Sequence, residues 1–77
     1  MDFGDALKLL TTGRLIARQG WNGKSMYLYL DSSLCGTNGA KYEPVIVMFT
    51  ADQKHQPGWL ASQPDMLADD WVEVILP

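Results

Sequence analysis

Apolar positions recur at two different spacings along this chain, and the spacing predicts where helices and strands lie. The first apolar residues stand three or four positions apart, as on one face of a helix; they are Phe3, Ala6, Leu7 and Leu10. Asp2 suits the N-cap of this helix, and Gly13 suits a left-handed residue just beyond its end. The pattern therefore predicts a helix from about residue 3 to residue 12.

Extended segments follow the helix. Arg14–Gln19 and Lys24–Leu30 flank Asn22-Gly23, a dipeptide that favours a tight type I′ hairpin turn because both residues tolerate positive φ. Val45–Thr50 and Trp71–Leu76 predict two more strands. Several of these segments are apolar on both faces, so we expect both faces of the sheet to be covered, one of them by a partner subunit.

The connections are rich in turn-forming residues. We predict a long loop over residues 31–44, with a second tight turn at Asn38-Gly39, and a polar connection over Ala51–Gly58. Ser62 and Asp65 are spaced as in a capping box, which predicts a short helix over about residues 63–69. The predicted fold is α+β: a single domain, residues 1–77, with a small antiparallel sheet, an N-terminal helix and a short helix before the last strand.

Composition excludes several classes of protein. One cysteine and one histidine in 77 residues give neither a disulfide framework nor a zinc site, so we expect no metal and no cofactor. The net charge is −3 and the basic residues are scattered, which argues against polymeric nucleic acid as a partner. No signal peptide or apolar run long enough to cross a membrane is apparent, so we expect no membrane partner. A domain this small without a disulfide or a structural metal is expected to oligomerise.

Catalytic chemistry is not indicated. His55 lies in a polar segment without an evident partner, and Cys35 is far from it in the sequence. Asp65, Asp69 and Asp70 are expected to be solvated carboxylates around the second helix. The helix dipole disfavours Asp69 and Asp70 at its C-terminal end, so at least one of them is expected to accept a specific hydrogen bond. We expect no catalytic residue, and therefore no enzyme.

The three tryptophans lie in two short segments beside turn residues. A tryptophan next to hydrogen-bonding groups can grip a nucleobase or sugar, although it can equally anchor a small core. Trp71 opens a strand with Val72 and Val74, so we predict a structural role for it. Trp21 precedes a tight turn where a bulky side chain is hard to bury, so we predict a ligand or interface contact. For Trp59 both roles stay open.

Taken together, these segments resemble the small phage proteins of the Thoeris anti-defence protein two family, formerly a family of unknown function. The resemblance runs nearly end to end. It rests on Phe3-Gly-Asp-Ala-Leu-Lys8, Arg18, Gly20-Trp-Asn-Gly-Lys24, Met26-Tyr-Leu-Tyr-Leu30, Thr50-Ala-Asp52 and the long segment from Trp59 to Trp71. The region 31–43 is the least similar part.

The resemblance implies a sponge that acts in the cytoplasm of the infected bacterial host. Such proteins bind a cyclic nucleotide immune signal, glycocyclic ADP-ribose, without cleaving it, and some also take up cyclic dinucleotides. Family members are homotetramers with ligand pockets between subunits. A protein–protein adaptor without a nucleotide ligand is the alternative, and a hydrolase that uses an aspartate and a water is a third.

Candidate ligand-binding residues follow from combining this resemblance with side-chain chemistry. Trp21 and Trp59 are expected to stack on adenine. Arg18 is the first candidate for the diphosphate because its planar fork makes bidentate contacts, and Lys24 is the second. The polar candidates are Asn22, Thr50, Ser62, Gln63 and Asp65. The first four can bond base edges and ribose hydroxyls, and Ser62 and Asp65 are expected to serve helix capping or ribose contacts.

Overall fold

The computed structural model describes residues 1–21 and 25–76. Its elements in chain order are α1 (Phe3–Thr11), β1 (Leu15–Arg18), β2 (Tyr27–Asp31), β3 (Val45–Phe49), β4 (His55–Pro57), α2 (Gln63–Leu67) and β5 (Trp71–Val74). The strands form one antiparallel sheet in the order β4-β3-β2-β1-β5. The α+β prediction is confirmed, with both helices where the sequence placed them.

Helix α1 begins and ends as its sequence predicts. The main-chain N–H of Asp5 donates to Oδ1 of Asp2 at 2.8 Å, which satisfies one of the free donors of the first turn. Gly13 adopts φ +92°, the left-handed conformation that only glycine reaches without strain, and the chain leaves the helix there. The helix packs on β1, β2 and β5.

Strand β1 is shorter at both ends than the predicted Arg14–Gln19. Its last residue is Arg18, because the N–H of Trp21 donates to the Arg18 carbonyl at 3.2 Å and turns the chain. Gln19 still bonds across to β5, where its N–H donates to the Asp70 carbonyl at 2.9 Å. The predicted Asn22-Gly23 turn lies outside the described residues.

Strand β4 was not predicted, and the assignment of Ala51–Gly58 to a polar connection was wrong. His55–Pro57 pairs with β3 at the edge of the sheet and is exposed along its whole length. An edge strand without a buried face carries no apolar alternation, so the pattern that reveals the other strands is missing here. The turn before it places Gln53 at φ +64° and bonds its N–H to the Thr50 carbonyl.

The long connection between β2 and β3 is a small hairpin rather than an irregular loop. Cys35 pairs with Lys41 in an antiparallel bridge. At its tip, the N–H of Gly39 donates to the Gly36 carbonyl at 3.0 Å, and Gly39 adopts φ +80°. The predicted tight turn at Asn38-Gly39 is therefore confirmed.

Helix α2 has the predicted capping box but is shorter than predicted. Ser62 Oγ accepts from the N–H of Asp65 at 3.2 Å, and the Asp65 carboxylate accepts from the N–H of Ser62 at 3.2 Å. The helix ends at Leu67 because Ala68 is extended, at φ −73° and ψ 150°. The residues after α2 lead into β5, which pairs with β1. Strand β5 ends at Val74 instead of residue 76.

The two faces of the sheet differ. One face carries Ile16, Leu28 and Trp71, which form the buried core with Ala6 and Leu10 of α1. We call the opposite side the open face. It is formed by one row with Val72, Ala17, Tyr27, Phe49 and His55, a second with Val74, Leu15, Tyr29, Val47 and Pro57, and the pair Asp31 and Val45 beyond them. Helix α1 packs on the core face, and α2 joins the same side through Arg18 and Trp71. Within the described ranges, neither helix is long and apolar enough to cross a membrane.

Candidate functional site

The three tryptophans and Phe3 form one aromatic cluster. Trp71 at its centre is fully buried, and its ring centroid lies 5.6 Å from Trp21, 6.2 Å from Trp59 and 5.2 Å from Phe3. Trp21 and Trp59 meet Trp71 edge-on, at interplanar angles of 76° and 84°. Edge-to-face contacts hold aromatic rings in preferred geometries. Trp71 thus supports two tryptophans whose rings remain partly exposed.

This cluster settles the structural role of one tryptophan and corrects the argument about another. Trp71 is a core residue, as predicted. The premise that Trp21 is hard to bury was wrong, because it is partly buried and packs against the core. Trp59 also packs there and keeps some exposure, so the structure shows a core contact for it. A ligand contact by Trp21 or Trp59 remains a prediction.

Arg18 lies between two carboxylates beside this cluster. Its Nε donates to Oδ1 of Asp70 at 2.9 Å, and its Nη1 donates to Oδ1 of Asp65 at 3.1 Å. The three side chains are 25%, 31% and 16% exposed respectively, so solvent screens them only in part. One cation and two carboxylates leave the group with a net charge of −1.

The ion pairs shift the titration of all three groups. The hydrogen bond from Arg18 lowers the pKa of Asp70 below its usual value. Burial alone would raise the pKa of Asp65, but hydrogen bonds from Ser62 and Arg18 outweigh it and lower that pKa. Hydrogen bonds to Asp70 and Asp65 raise the pKa of Arg18. Both carboxylates are therefore ionised at neutral pH.

The pairing bears on the predicted phosphate contact. Arg18 has five N–H donors, and its bonds to Asp65 and Asp70 engage Nε and one N–H of Nη1. The two N–H groups of Nη2 take part in neither of these bonds. A phosphate that bound Arg18 would have to share the guanidinium with two nearby negative charges, which repel it. The structure thus assigns Arg18 a role in fixing Asp65 and Asp70, and its phosphate contact stays a prediction.

Asp65 joins the ion-paired group to the aromatic cluster. Its carbonyl oxygen accepts from Nε1–H of Trp71 at 2.9 Å, and its side chain closes the capping box with Ser62. The ammonium of Met1 donates to the Trp71 carbonyl at 2.8 Å and to the Asp69 carbonyl at 3.2 Å. We name the surface formed by Trp21, Trp59, Arg18, Asp65 and Asp70 the tryptophan–carboxylate site.

The remaining predicted residues are distributed unevenly around this site. Ser62 belongs to it through Asp65, and Gln63 is the exposed first residue of α2. Thr50 lies in the β3–β4 turn instead, where its hydroxyl donates to Asp52 and accepts from the N–H of Lys54. Among the described residues, the hydrogen bonds of Thr50 stay within that turn. Asn22 lies outside the described residues.

Asp70 was not predicted as a site residue, although a specific hydrogen bond at Asp69 or Asp70 was expected, and Asp70 makes it. The misfit with the helix dipole was the available indication. Its partner Arg18 is 52 positions away, so only the β1–β5 pairing reveals the contact. The two other candidates for chemistry lie apart: His55 Nδ1 bonds the Tyr29 hydroxyl at 2.7 Å, and Cys35 is exposed in its hairpin. Over the described residues, no group of metal-ligating side chains is found.

A small α+β fold with a supported pair of tryptophans beside fixed carboxylates can now be compared with known proteins. The Thoeris anti-defense 2-like domain matches residues 1–74. A protein of Bacillus phage SP01 named Thoeris anti-defense 2 is 44% identical over an alignment of 82 residues, which covers 92% of this chain and 91% of the relative. The chain belongs to the Thoeris anti-defense 2-like family. The resemblance inferred from its sequence is confirmed, and it places the chain among phage anti-defence proteins directed against Thoeris.

Proposed function

We propose that this protein binds and sequesters a cyclic nucleotide immune signal, glycocyclic ADP-ribose, at the tryptophan–carboxylate site without cleaving it. It would do so in the cytoplasm of the infected host. One observation carries the proposal: two partly exposed tryptophans pack on a buried third one, whose indole N–H bonds the main chain of Asp65, one of the two ionised carboxylates paired with Arg18. This combination suits a ligand that contains a flat base and a sugar.

The tryptophans would supply most of the affinity. Stacking of a nucleobase on an aromatic side chain contributes about 1–3 kcal/mol per base. Trp21 and Trp59 lie 6.5 Å apart at 61°, and both are fixed against Trp71. Rings that are already ordered lose little conformational entropy when a ligand binds, so more of the stacking energy appears as affinity.

The carboxylates would select for sugar hydroxyls. An ionised carboxylate accepts hydrogen bonds only, and bonds to a charged acceptor are stronger than neutral ones. Asp65 uses both of its oxygens, Oδ1 for Arg18 and Oδ2 for Ser62, whereas Asp70 accepts from Arg18 at Oδ1 and is the more exposed of the two, at 31% against 16%. Asp70 is therefore the stronger candidate for a ribose contact, and Asp65 holds α2 in place.

The phosphates must be held by short-range contacts. The chain carries a net charge of −3 and the ligand is anionic, so long-range attraction does not help. Arg18 remains the proposed phosphate contact through the N–H groups that bond neither Asp65 nor Asp70, with Lys24 as the second candidate. We further propose a homotetramer whose pockets form between subunits, so that a neighbouring subunit adds donors to each site. Cyclic dinucleotides are proposed as a second ligand class.

Sequestration requires only tight binding and slow release. A sponge removes the signal in proportion to its own concentration, and the ligand leaves unchanged when the protein unfolds. The absence of turnover is part of this proposal and is tested with it.

Calorimetric titration with glycocyclic ADP-ribose tests the proposal. We expect saturable binding by the wild type, and a loss of more than about tenfold in affinity for Trp21→Ala, the equivalent of one stacking contact. Tyr42→Ala is the matched control, since Tyr42 is a 54% exposed aromatic residue in the β2–β3 hairpin. Equal losses in both variants, or no binding by the wild type, would contradict the proposal.

An adaptor function is the second candidate. Leu60, just before α2, and Leu67, its last residue, are 88% and 83% exposed, and such exposed apolar side chains favour a protein contact. Suppose that the wild type binds no nucleotide in the titration, and that Leu67→Asp abolishes its ability to inhibit Thoeris in infected cells. The adaptor hypothesis then replaces the sponge.

A further inference from the structure

Trp59 lies on the opposite side of the sheet from the one that the alternation of β4 assigns to it. Pro57 pairs with Val47 on the open face. If this register continued for two more residues, Trp59 would stand opposite Val45, again on the open face, because the side chains of a strand alternate between its two faces. The Trp59 ring instead packs on the helix side, 6.2 Å from the ring of Trp71. The regular pairing must therefore change between Pro57 and Trp59.

The change of side is produced by one extra residue opposite Ile46. The N–H of Gly58 and the N–H of Trp59 both donate to the Ile46 carbonyl, each at 3.0 Å. Two residues opposite one form a β-bulge, and Gly58, at φ +84°, is the left-handed first residue that the glycine type of bulge requires. Because the side-chain period of a strand is two, one inserted residue transfers the next side chain to the other face. We call Gly58 and Trp59 the Gly58 bulge.

We propose that Gly58 is a positioning residue of the tryptophan–carboxylate site: the Gly58 bulge carries the Trp59 ring from the open face to the side where it meets Trp21. The part of this inference that concerns the ligand rests on the proposed function. The part that concerns the place of the Trp59 ring does not, so the two can be tested separately.

The requirement for glycine is conformational rather than steric. A left-handed residue with an L side chain places its β-carbon too close to the following carbonyl oxygen, and β-branched side chains tolerate this least. Apart from its two chain neighbours, no described residue lies within 4 Å of the place that a β-carbon at Gly58 would occupy. A side chain at this position therefore fits the available space, and only its handedness opposes the bulge.

The arrangement of the two exposed tryptophans depends on the Gly58 bulge. The Trp21 and Trp59 rings lie 6.5 Å apart on the same side of the sheet, at 61° to each other. If Trp59 returned to the regular register, the sheet itself would separate the two rings, and Trp21 would be left alone beside the carboxylates. The ligand would then lose one of its two proposed stacking contacts, which corresponds to at least about fivefold in affinity.

Gly58→Val tests the proposal, with Gly39→Val as the matched control. Gly39 is also left-handed, at φ +80°, and apart from its chain neighbours no described residue lies within 4 Å of its β-carbon position. The same substitution therefore introduces the same strain in the β2–β3 hairpin, away from the site. Near-ultraviolet circular dichroism without ligand reports the coupling of the indole rings, and calorimetry reports the affinity for glycocyclic ADP-ribose. We expect Gly58→Val to change the indole signal and to weaken binding more than about fivefold, and Gly39→Val to keep both.

D-Alanine in place of Gly58, introduced by chemical synthesis, separates handedness from size. A D residue favours positive φ, so it adds a side chain without opposing the bulge. We expect this chain to keep the indole signal and the affinity of the wild type. A side chain that disturbed the site by its bulk would lower both in either hand. Gly58→Ala guards against a valine variant that does not fold: it should change both readouts in the same direction, by less.

Several results would overturn the inference. They are wild-type signal and affinity in the folded Gly58 variants with L side chains, equal losses of affinity in Gly39→Val, a D-alanine chain that behaves like Gly58→Val, or an altered indole signal with unchanged affinity. Failure of the proposed function is a different result. A wild type that binds no nucleotide refutes the proposed function, and the indole signals of the same variants then decide by themselves whether Gly58 places Trp59.

Discussion

Replacing Trp71 by alanine should destabilise the protein more than any other tryptophan substitution. The side chain is fully buried, and its ring contacts the other three rings of the aromatic cluster. Truncation at Cβ would leave a cavity bounded by Phe3, Trp21 and Trp59. It would also deprive the Asp65 carbonyl of the indole N–H that donates to it at 2.9 Å.

The magnitude follows from these losses. Trp→Ala substitutions in cores cost about 3–5 kcal/mol, which includes the cavity left behind. A domain of 77 residues typically has a free energy of unfolding of about 4–11 kcal/mol, so the variant loses a large part of its stability. With about 4–8 °C per kcal/mol for a domain of this size, the melting temperature should fall by at least about 12 °C.

Thermal and urea unfolding, followed by circular dichroism at equal protomer concentration, measure this effect. Equal concentration matters because association contributes to the apparent stability. Trp71→Phe is the control: it keeps a ring in the core but loses the hydrogen bond, so it should cost much less. A melting temperature of Trp71→Ala within about 4 °C of the wild type, less than 1 kcal/mol, would refute the central role of this residue.

Three further predictions concern the tryptophan–carboxylate site. Trp21→Ala should weaken nucleotide capture and lower the melting temperature less than Trp71→Ala, because its ring is only partly buried; calorimetry and thermal melts compare the two. Arg18→Ala should reduce capture more than Asp70→Asn, because asparagine keeps an oxygen that accepts from a ribose hydroxyl and removes a charge that repels phosphate; equal losses in both titrations would make Arg18 a positioning residue instead. The lowered pKa values of Asp65 and Asp70 stabilise the fold above the unfolded value of about 3.9, so stability should fall as the pH drops below about 4, and urea titrations should find a weaker dependence in Arg18→Ala.

Much of the fold could be predicted because its determinants are local. The helix caps at Asp2 and Ser62, the left-handed Gly13 and the turn at Gly39 each depend on a few neighbouring residues. Strand β4 could not be predicted, since an exposed edge strand has no buried face to impose a pattern. Element ends were extended too far at Arg18, where the hydrogen bond from Trp21 turns the chain, and at Leu67, where Ala68 is extended.

The candidate site was predictable in its residue types but not in its contacts. Tryptophan and aspartate beside turn residues indicated where a ligand could bind. The pairing of Arg18 with Asp65 and Asp70 depends on residues that are 47 and 52 positions apart, and side-chain chemistry alone leaves the partner of an arginine open. The hydroxyl of Thr50, by contrast, bonds within its own turn, to residues two and four positions away.

The central claim, capture of the signal without cleavage, is tested most directly by recovering the ligand from the protein. The wild type is mixed with a known amount of glycocyclic ADP-ribose below the protomer concentration, separated from free ligand, heat-denatured and analysed by chromatography with mass detection. The account predicts that the free ligand disappears on mixing and that the full amount returns intact after denaturation. Ligand that stays free throughout, or that returns as a cleaved product, would contradict it.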